Sequence, residues 1–162
     1  MTSSVDPEKI LSDAVDLIVD GREAEAEEML NAFTAALKGA MNGGDADAQR
    51  HYWWGKALTL QDEWEQALLR FERAIELDPD HEGALWETAT ILMDALDKPE
   101  SAKTILQERL MKLNPGNPDY AEALASAETL IRRRDGKPLK EWKDGVGEEG
   151  DAPMDADNGE LA

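Results

Sequence analysis

The sequence predicts an all-α protein of seven helices joined by short breaks. Three observations carry this. Apolar residues recur at intervals of three and four through seven stretches, as the buried face of a helix requires. Each stretch stops at a cluster of Gly, Pro, Asn or Asp. No stretch alternates β-branched and polar residues with the period of two that marks a half-buried strand.

The elements follow in order. Asp6-Pro7 opens the first helix, with Asp as N-cap and Pro in the first turn, where its missing N–H costs nothing. Ile10, Leu11, Ala14, Leu17 and Ile18 form its apolar face, and Asp20-Gly21 ends it. The second runs from Glu23 to Lys38 on Ala26, Met29, Leu30, Phe33, Ala36 and Leu37, with Gly39 as C-cap. Residues 39–47, GAMNGGDAD, read as a loop. The third spans Ala48 to Leu60 and contains HYWWGKALTL. Asp62 and Glu65 give the D-x-x-E form of a capping box for a fourth helix, which reaches Leu77 and stops at Asp78-Pro79-Asp80. A fifth spans His81 to Leu96, a sixth Glu100 to Leu113 and a seventh Asp119 to Arg134.

Composition sets limits on function. The chain has 162 residues, 41% of them hydrophobic and 33% charged, enough apolar material for one core-bearing domain and a tail. The formal net charge is −19. Such a chain repels nucleic acid and anionic membranes, whose binding rests on Lys and Arg. Its acidity serves either solubility or attraction to a basic partner. There is no cysteine, which excludes disulfides and thiolate chemistry. The first residues lack a basic, apolar leader, and no window holds the roughly 20 apolar residues of a membrane span. A cytoplasmic location is the expectation. Residues 141–162 carry eight acids, one lysine and four glycines, so 135–162 is expected to be a disordered acidic tail. Leu139 and Trp142 are placed to dock back before it begins.

The choice between bundle and solenoid rests on internal periodicity. Ala67, Phe71, Ala74 and Pro79 in ALLRFERAIELDPDH form an A-x3-F-x2-A-x4-P pattern, and Gly55 lies twelve residues before Ala67. With Trp54 and Leu58 this resembles a tetratricopeptide repeat over 48–81, departing from the family where His51 stands for an early Trp. The frame also fits 7–40 through Ala14, Leu17, Ala26, Leu30 and Phe33. Over 82–117 it fits Leu85, Ala89 and Leu92, then falls out of step, which calls for an insertion near Asp97–Glu100. The last helix, 118–134, has Ala121, Leu124, Ala125 and Glu128 and no following partner, as a capping helix would. Residues 1–6 precede the repeats. The resemblance implies a right-handed superhelical solenoid of about three helix pairs plus the cap. The competing arrangement is a non-repeating bundle with one repeat-like hairpin.

Signals for catalysis are weak. His51 and His81 are the only histidines, neither at metal-ligand spacing, and phosphate-loop and nucleophile-elbow motifs are absent. DADNGE (155–160) lacks the glutamate at position twelve of a calcium loop. No catalytic, cofactor or metal site is expected, and His51 and His81 read as packed or surface residues. Arg132–Arg134 suit the negative end of their own helix.

The resemblance instead implies a binding groove lined by the first helix of each pair. The matching positions are Leu11, Val15 and Ile18; Tyr52, Lys56 and Thr59; Trp86, Thr90 and Met93; and, on the last helix, Glu122, Ser126 and Thr129, with Trp53 at the rim. Tyr52, Trp86 and Met93 would be apolar anchors and Lys56 an orienting contact, unless Tyr52 and Trp86 pack between repeats. Repeats of this family that clamp acidic chaperone tails use Lys, Asn and Arg where this chain has Leu11, Val15, Trp53, Gly83 and Glu87. The clamp is missing, so the implied ligand is an apolar or basic-amphipathic protein segment and the implied role a scaffold, adaptor or co-chaperone-like module. The alternative is a homo-oligomer that buries the same surface in self-association.

Overall fold

The computed structural model describes residues 5–40 and 47–136, and every regular element in them is helical. The first four residues, loop positions 41–46 and everything from 137 on lie outside the described residues, including Leu139, Trp142 and most of the expected tail. Seven helices are described: α1 (Pro7–Val19), α2 (Glu23–Ala40), α3 (Ala48–Thr59), α4 (Trp64–Leu77), α5, α6 and α7 (Pro118–Arg134). α5 begins as Glu82–Thr90 and continues into a wider π turn, Ile91–Ala95. α6 runs Pro99–Ile105, passes through a π turn at Leu106–Leu110 and ends with Met111–Leu113.

The termini show why the helices start and stop there. Asp6 caps α1 by accepting from the Glu8 N–H at 3.1 Å, and Gly21, at φ 77°, turns the chain into α2. His81 caps α5, its Nδ1 accepting from the Ala84 N–H at 3.1 Å. That tautomer leaves the proton on Nε2, which donates to Gln49 Oε1 at 2.8 Å. One expectation fails: Asp62 does not cap α4. It lies in the left-handed region at φ 60°, closing α3 through its own N–H to the Thr59 carbonyl and the Glu63 N–H to the Leu58 carbonyl. Asp tolerates this conformation through its short polar side chain. Glu63 stands at the α4 N-cap with no side-chain cap bond.

The chain divides into two units, Met1–Glu128 and Thr129–Ala162. In the first, helices pack in consecutive pairs, and three core clusters follow the chain. Leu11, Ala14, Ala26, Leu30, Phe33 and Ala57 form the first. Leu58, Ala67, Phe71, Ala74, Ala84 and Ile91 form the second. Leu85, Ala89, Leu92, Ala102, Leu106, Leu110 and Tyr120 form the third. Ala57 joins the first cluster to the second pair, and Ala84 and Ile91 join the second to the third pair. This is how stacked helix pairs bury a face that none could bury alone. In the second unit, Thr129–Gly136 is described. It completes α7, with Arg132 half-buried and Arg133 and Arg134 exposed in the last turn, suited to the negative helix end.

The fit between small and bulky residues explains the pairing. A Cβ on Gly55 would lie 2.6 Å from Phe71 Cε1, so α3 and α4 touch where a glycine faces a phenyl ring. The equivalent pairs are Ala14 with Leu30 and Ala89 with Leu106. Glycine stands only where the bulky partner is Phe.

The third pair does not contain the expected insertion at Asp97–Glu100. Its extra residues are absorbed inside the helices. Gly55 to Ala89 and Leu58 to Leu92 are 34 residues apart. Ala67 to Ala102 and Phe71 to Leu106 are 35 apart, and Ala74 to Leu110 are 36. Each step in spacing coincides with one π turn, first in α5 and then in α6. A turn closed i→i+5 holds one more residue than an α turn, so buried positions stay in register across the insertions. Asp97, at φ 54°, then closes the turn between the helices.

Candidate functional site: the face of the first helices

Helices α1, α3 and α5 are the first helices of their pairs, and the expected groove residues lie on them and on the last helix, α7. The structure brings one group together and turns another inward. The group that meets spans α3 and α5. Lys56 Nζ donates to Glu87 Oε1 at 2.6 Å, with side chains 32% and 17% exposed. Thr59 donates its hydroxyl to the Lys56 carbonyl at 2.6 Å, and Thr90 donates to the Glu87 carbonyl at 3.0 Å. Both threonine hydroxyls are therefore satisfied within their own helices, and both residues are half-buried.

Tyr52 lies one turn before Lys56. Its ring packs on His81 at 4.8 Å, Trp53 at 5.0 Å and Phe71 at 5.9 Å between centroids. A Cβ on Gly83 would meet the Tyr52 ring at 3.0 Å, so the glycine gives the ring room to cross from α3 to α5. Burial pushes the Tyr52 hydroxyl pKa upward, the charge of Lys56 opposes it, and Glu87 and Glu8 reinforce it. Tyr52 is thus half-buried between helix pairs and remains at the edge of a face carrying Lys56, Glu87 and Glu8.

The remaining expected groove residues are placed differently. Leu11 belongs to the first core cluster at 8% exposure, which corrects its assignment to an open face. Trp53 is half-buried against that same cluster. Trp86 packs on the third cluster with its ring tilted against Tyr120 at 5.3 Å, and Met93, within the first π turn, packs there too. These side chains fill the gaps between pairs. Val15 is 41% exposed, Ile18 is half-buried, and Glu122 and Ser126 are exposed on α7. Thr129 is half-buried in the second unit.

Two further contacts were not foreseen from the sequence. Glu87 partners Lys56, a pairing visible in hindsight because 31 residues is one repeat less one helical turn. Tyr120 donates a hydrogen bond to Glu82, tying α7 to α5. Burial, reinforced by that bond, pushes the Tyr120 hydroxyl up to about 12. His51 is buried and stacks on Trp54 at 6.4 Å, and Arg70 lies 3.8 Å over the Trp54 ring. Among the described residues, no group of three or more His, Cys, Asp or Glu could hold a metal ion. No described helix is long and apolar enough to cross a membrane.

No protein-family profile matches the chain, and no curated protein matches it. Solved structures do. MamA from Desulfovibrio magneticus RS-1 superposes with a TM-score of 0.56 at 18% identity, covering 82% of this chain and 71% of that one. The second tetratricopeptide domain of human RPAP3, solved with an HSP70 peptide, gives 0.52 at 19% identity, covering 76% and 98%. The Yersinia enterocolitica secretion chaperone SycD, solved with a peptide of the translocator YopD, gives 0.51 at 14% identity, covering 78% and 93%. With the in-frame small and bulky pairs and the three stacked cores, these likenesses show the fold: an all-α solenoid of tetratricopeptide type.

Proposed function

We propose that this protein is a non-catalytic interaction module that binds a basic-amphipathic segment of a partner protein on the face of its first helices. The observation that carries this reading is the Lys56–Glu87 pair. It occupies the one cation among the expected groove positions with a carboxylate of the chain itself. Glu8, whose charge acts on Tyr52, adds a further carboxylate at this edge, and the other charged residue among the expected groove positions is the exposed Glu122. An acidic ligand would meet repulsion, and a basic one complementarity. RPAP3 and SycD share the fold and were solved with peptides, which supports peptide recognition here by analogy of fold. A role as scaffold, adaptor or co-chaperone-like module follows from that reading.

Placement of the aromatics refines the ligand. Leu11, Trp53, Trp86 and Met93 spend much of their surface on the cores. A purely apolar ligand therefore has fewer anchors than the sequence suggests, and self-association through the same apolar surface loses support for the same reason. The test is peptide selection from a displayed library against the wild-type chain and against Thr59→Arg/Thr90→Arg. Both threonines bond only within their own helices, so the double variant adds bulk and positive charge without opening a core. Enrichment of basic, helix-forming sequences by wild type and not by the variant supports the reading. Enrichment of acidic sequences, or identical sequences from both proteins, contradicts it.

A further inference from the structure

The first unit contains a second concavity, between α2 and the α3–α4 turn. α2 presents Glu23, Ala26, Glu27 and Leu30 in one stripe, at spacings of three and four residues. The α3–α4 turn, Leu60 to Glu63, faces this stripe, and Ile18 at the end of α1 completes the wall. Together they enclose a pocket of about 350 Å³. That lies toward the lower end of ligand-site volumes, roughly 300–1,000 Å³, and suits a single side chain with its flanking backbone.

The pocket has two chemical layers. Its deeper lining, the floor, is apolar: Ile18 and Leu60 are half-buried and supply the accessible apolar surface, above Ala26 and Leu30, which are almost fully buried. Its rim is four exposed carboxylates: Glu23, Glu27, Asp62 and Glu63. Among the described residues none of the four is in an ion pair, and Glu63 accepts only from the neutral amide of Gln66, at 2.9 Å. The wall is fixed by its own bonds. Gln61 Nε2 donates to Asn31 Oδ1 at 2.9 Å, pinning the turn to α2, and the left-handed Asp62 closes α3. The rim carboxylates are therefore held around the floor by the backbone and not by each other.

We infer that this pocket receives an arginine or lysine side chain from a partner protein. These are the side chains whose two halves match the two layers: an aliphatic stem that covers apolar surface and a cationic head that seeks carboxylates. A neutral apolar residue would satisfy the floor and leave four like charges uncompensated. A bare metal ion would find the charges but not use the floor. This site is independent of the α3–α5 face and stands or falls without it.

The test uses the full-length chain and amide correlation spectra. It is titrated with Nα-acetyl-arginine N-methylamide and, in parallel, with the norleucine equivalent. The expected result is saturable shifts at Leu30, Gln61 and Glu63 with the arginine compound, at a roughly millimolar dissociation constant. The norleucine compound should bind at least about fivefold more weakly, and so should the arginine compound to Glu23→Gln/Glu27→Gln. Asp62→Asn, which keeps a residue tolerant of the left-handed region, provides a second variant with the same expectation should the first fail to fold. The inference is overturned if arginine gives no saturable shift at these residues. It is equally overturned if both compounds bind alike, or if binding survives in a folded variant as diffuse attraction to an acidic surface.

Discussion

Lys56 Nζ lies 2.6 Å from Glu87 Oε1, and the two residues stand on the first helices of successive pairs. The contact joins neighbouring repeats on the face proposed to bind. Both groups are partly shielded from water, so losing Lys56 leaves Glu87 half-buried without its partner. Lys56→Met is expected to destabilise the fold by about 1 kcal/mol, more than a fully exposed pair would. Glu87→Gln in the Lys56→Met background should recover part of the loss. A double-mutant cycle by denaturant unfolding measures the coupling, and a coupling of zero would remove the pair from the stability of the stack.

Gly55→Ala tests the contact between α3 and α4. The new Cβ would meet a buried phenyl ring at 2.6 Å, which has no exposed direction in which to move. An overpacking loss of about 1–3 kcal/mol is expected. Gly55→Ala combined with Phe71→Leu recreates the Ala–Leu pairing of the other two repeats. That double variant should melt above Gly55→Ala alone. A double variant that melts lower would show that the pairing is not the cause.

The tyrosine at the start of α7 gives a pH dependence. Its hydroxyl is raised to about 12 in the folded chain, chiefly by burial and then by its bond to Glu82, against about 10 when unfolded. A raised pKa favours the protonated form in the native state. The contribution is therefore complete below pH 10 and is lost as pH climbs from about 10 through 12. Tyr120→Phe should be less stable than wild type at neutral pH, and the gap should narrow across that window. Thermal melts at matched ionic strength check it. A gap that widens with pH would reverse the assignment.

The two π turns make a prediction about length. Deleting Gln107, an exposed residue inside the α6 turn, would leave Leu106 and Leu110 three residues apart along the chain, like Phe71 and Ala74 in α4. Both leucines can then stay buried on an ordinary α turn, and the variant should fold with a Tm within several degrees of wild type. Deleting Glu72 from α4, where no spare residue exists, would swing Ala74 out of the core. That variant should lose its cooperative melt in circular dichroism. Equal behaviour of the two deletions would contradict the assignment.

Much of the fold is legible in the sequence because repeats write the same size pattern several times. Ala26, Ala67 and Ala102 mark helix contacts, and Pro7 and Pro79 mark turns. The π turns were hidden, since a widened turn inside a helix keeps its apolar spacing nearly unchanged. The loss of step over 82–117 pointed to an insertion, but the sequence placed it near Asp97–Glu100 and not inside the helices. Asp62 misled because D-x-x-E fits a capping box as well as it fits a left-handed helix stop. The candidate face was harder to read. Frame positions place side chains on a helix, but they do not say whether Trp53, Trp86 or Leu11 turns toward a neighbouring pair. Packing in three dimensions decides that, as it does for Lys56, whose carboxylate partner sits in another repeat.

The most direct test is the affinity of one library-selected basic segment for the wild-type chain and for Thr59→Arg/Thr90→Arg, measured by calorimetry where both proteins have the same Tm. The predicted result is saturable binding to wild type that weakens about tenfold or more in the variant and falls with added salt. Equal affinity for both proteins would contradict recognition by the α3–α5 face.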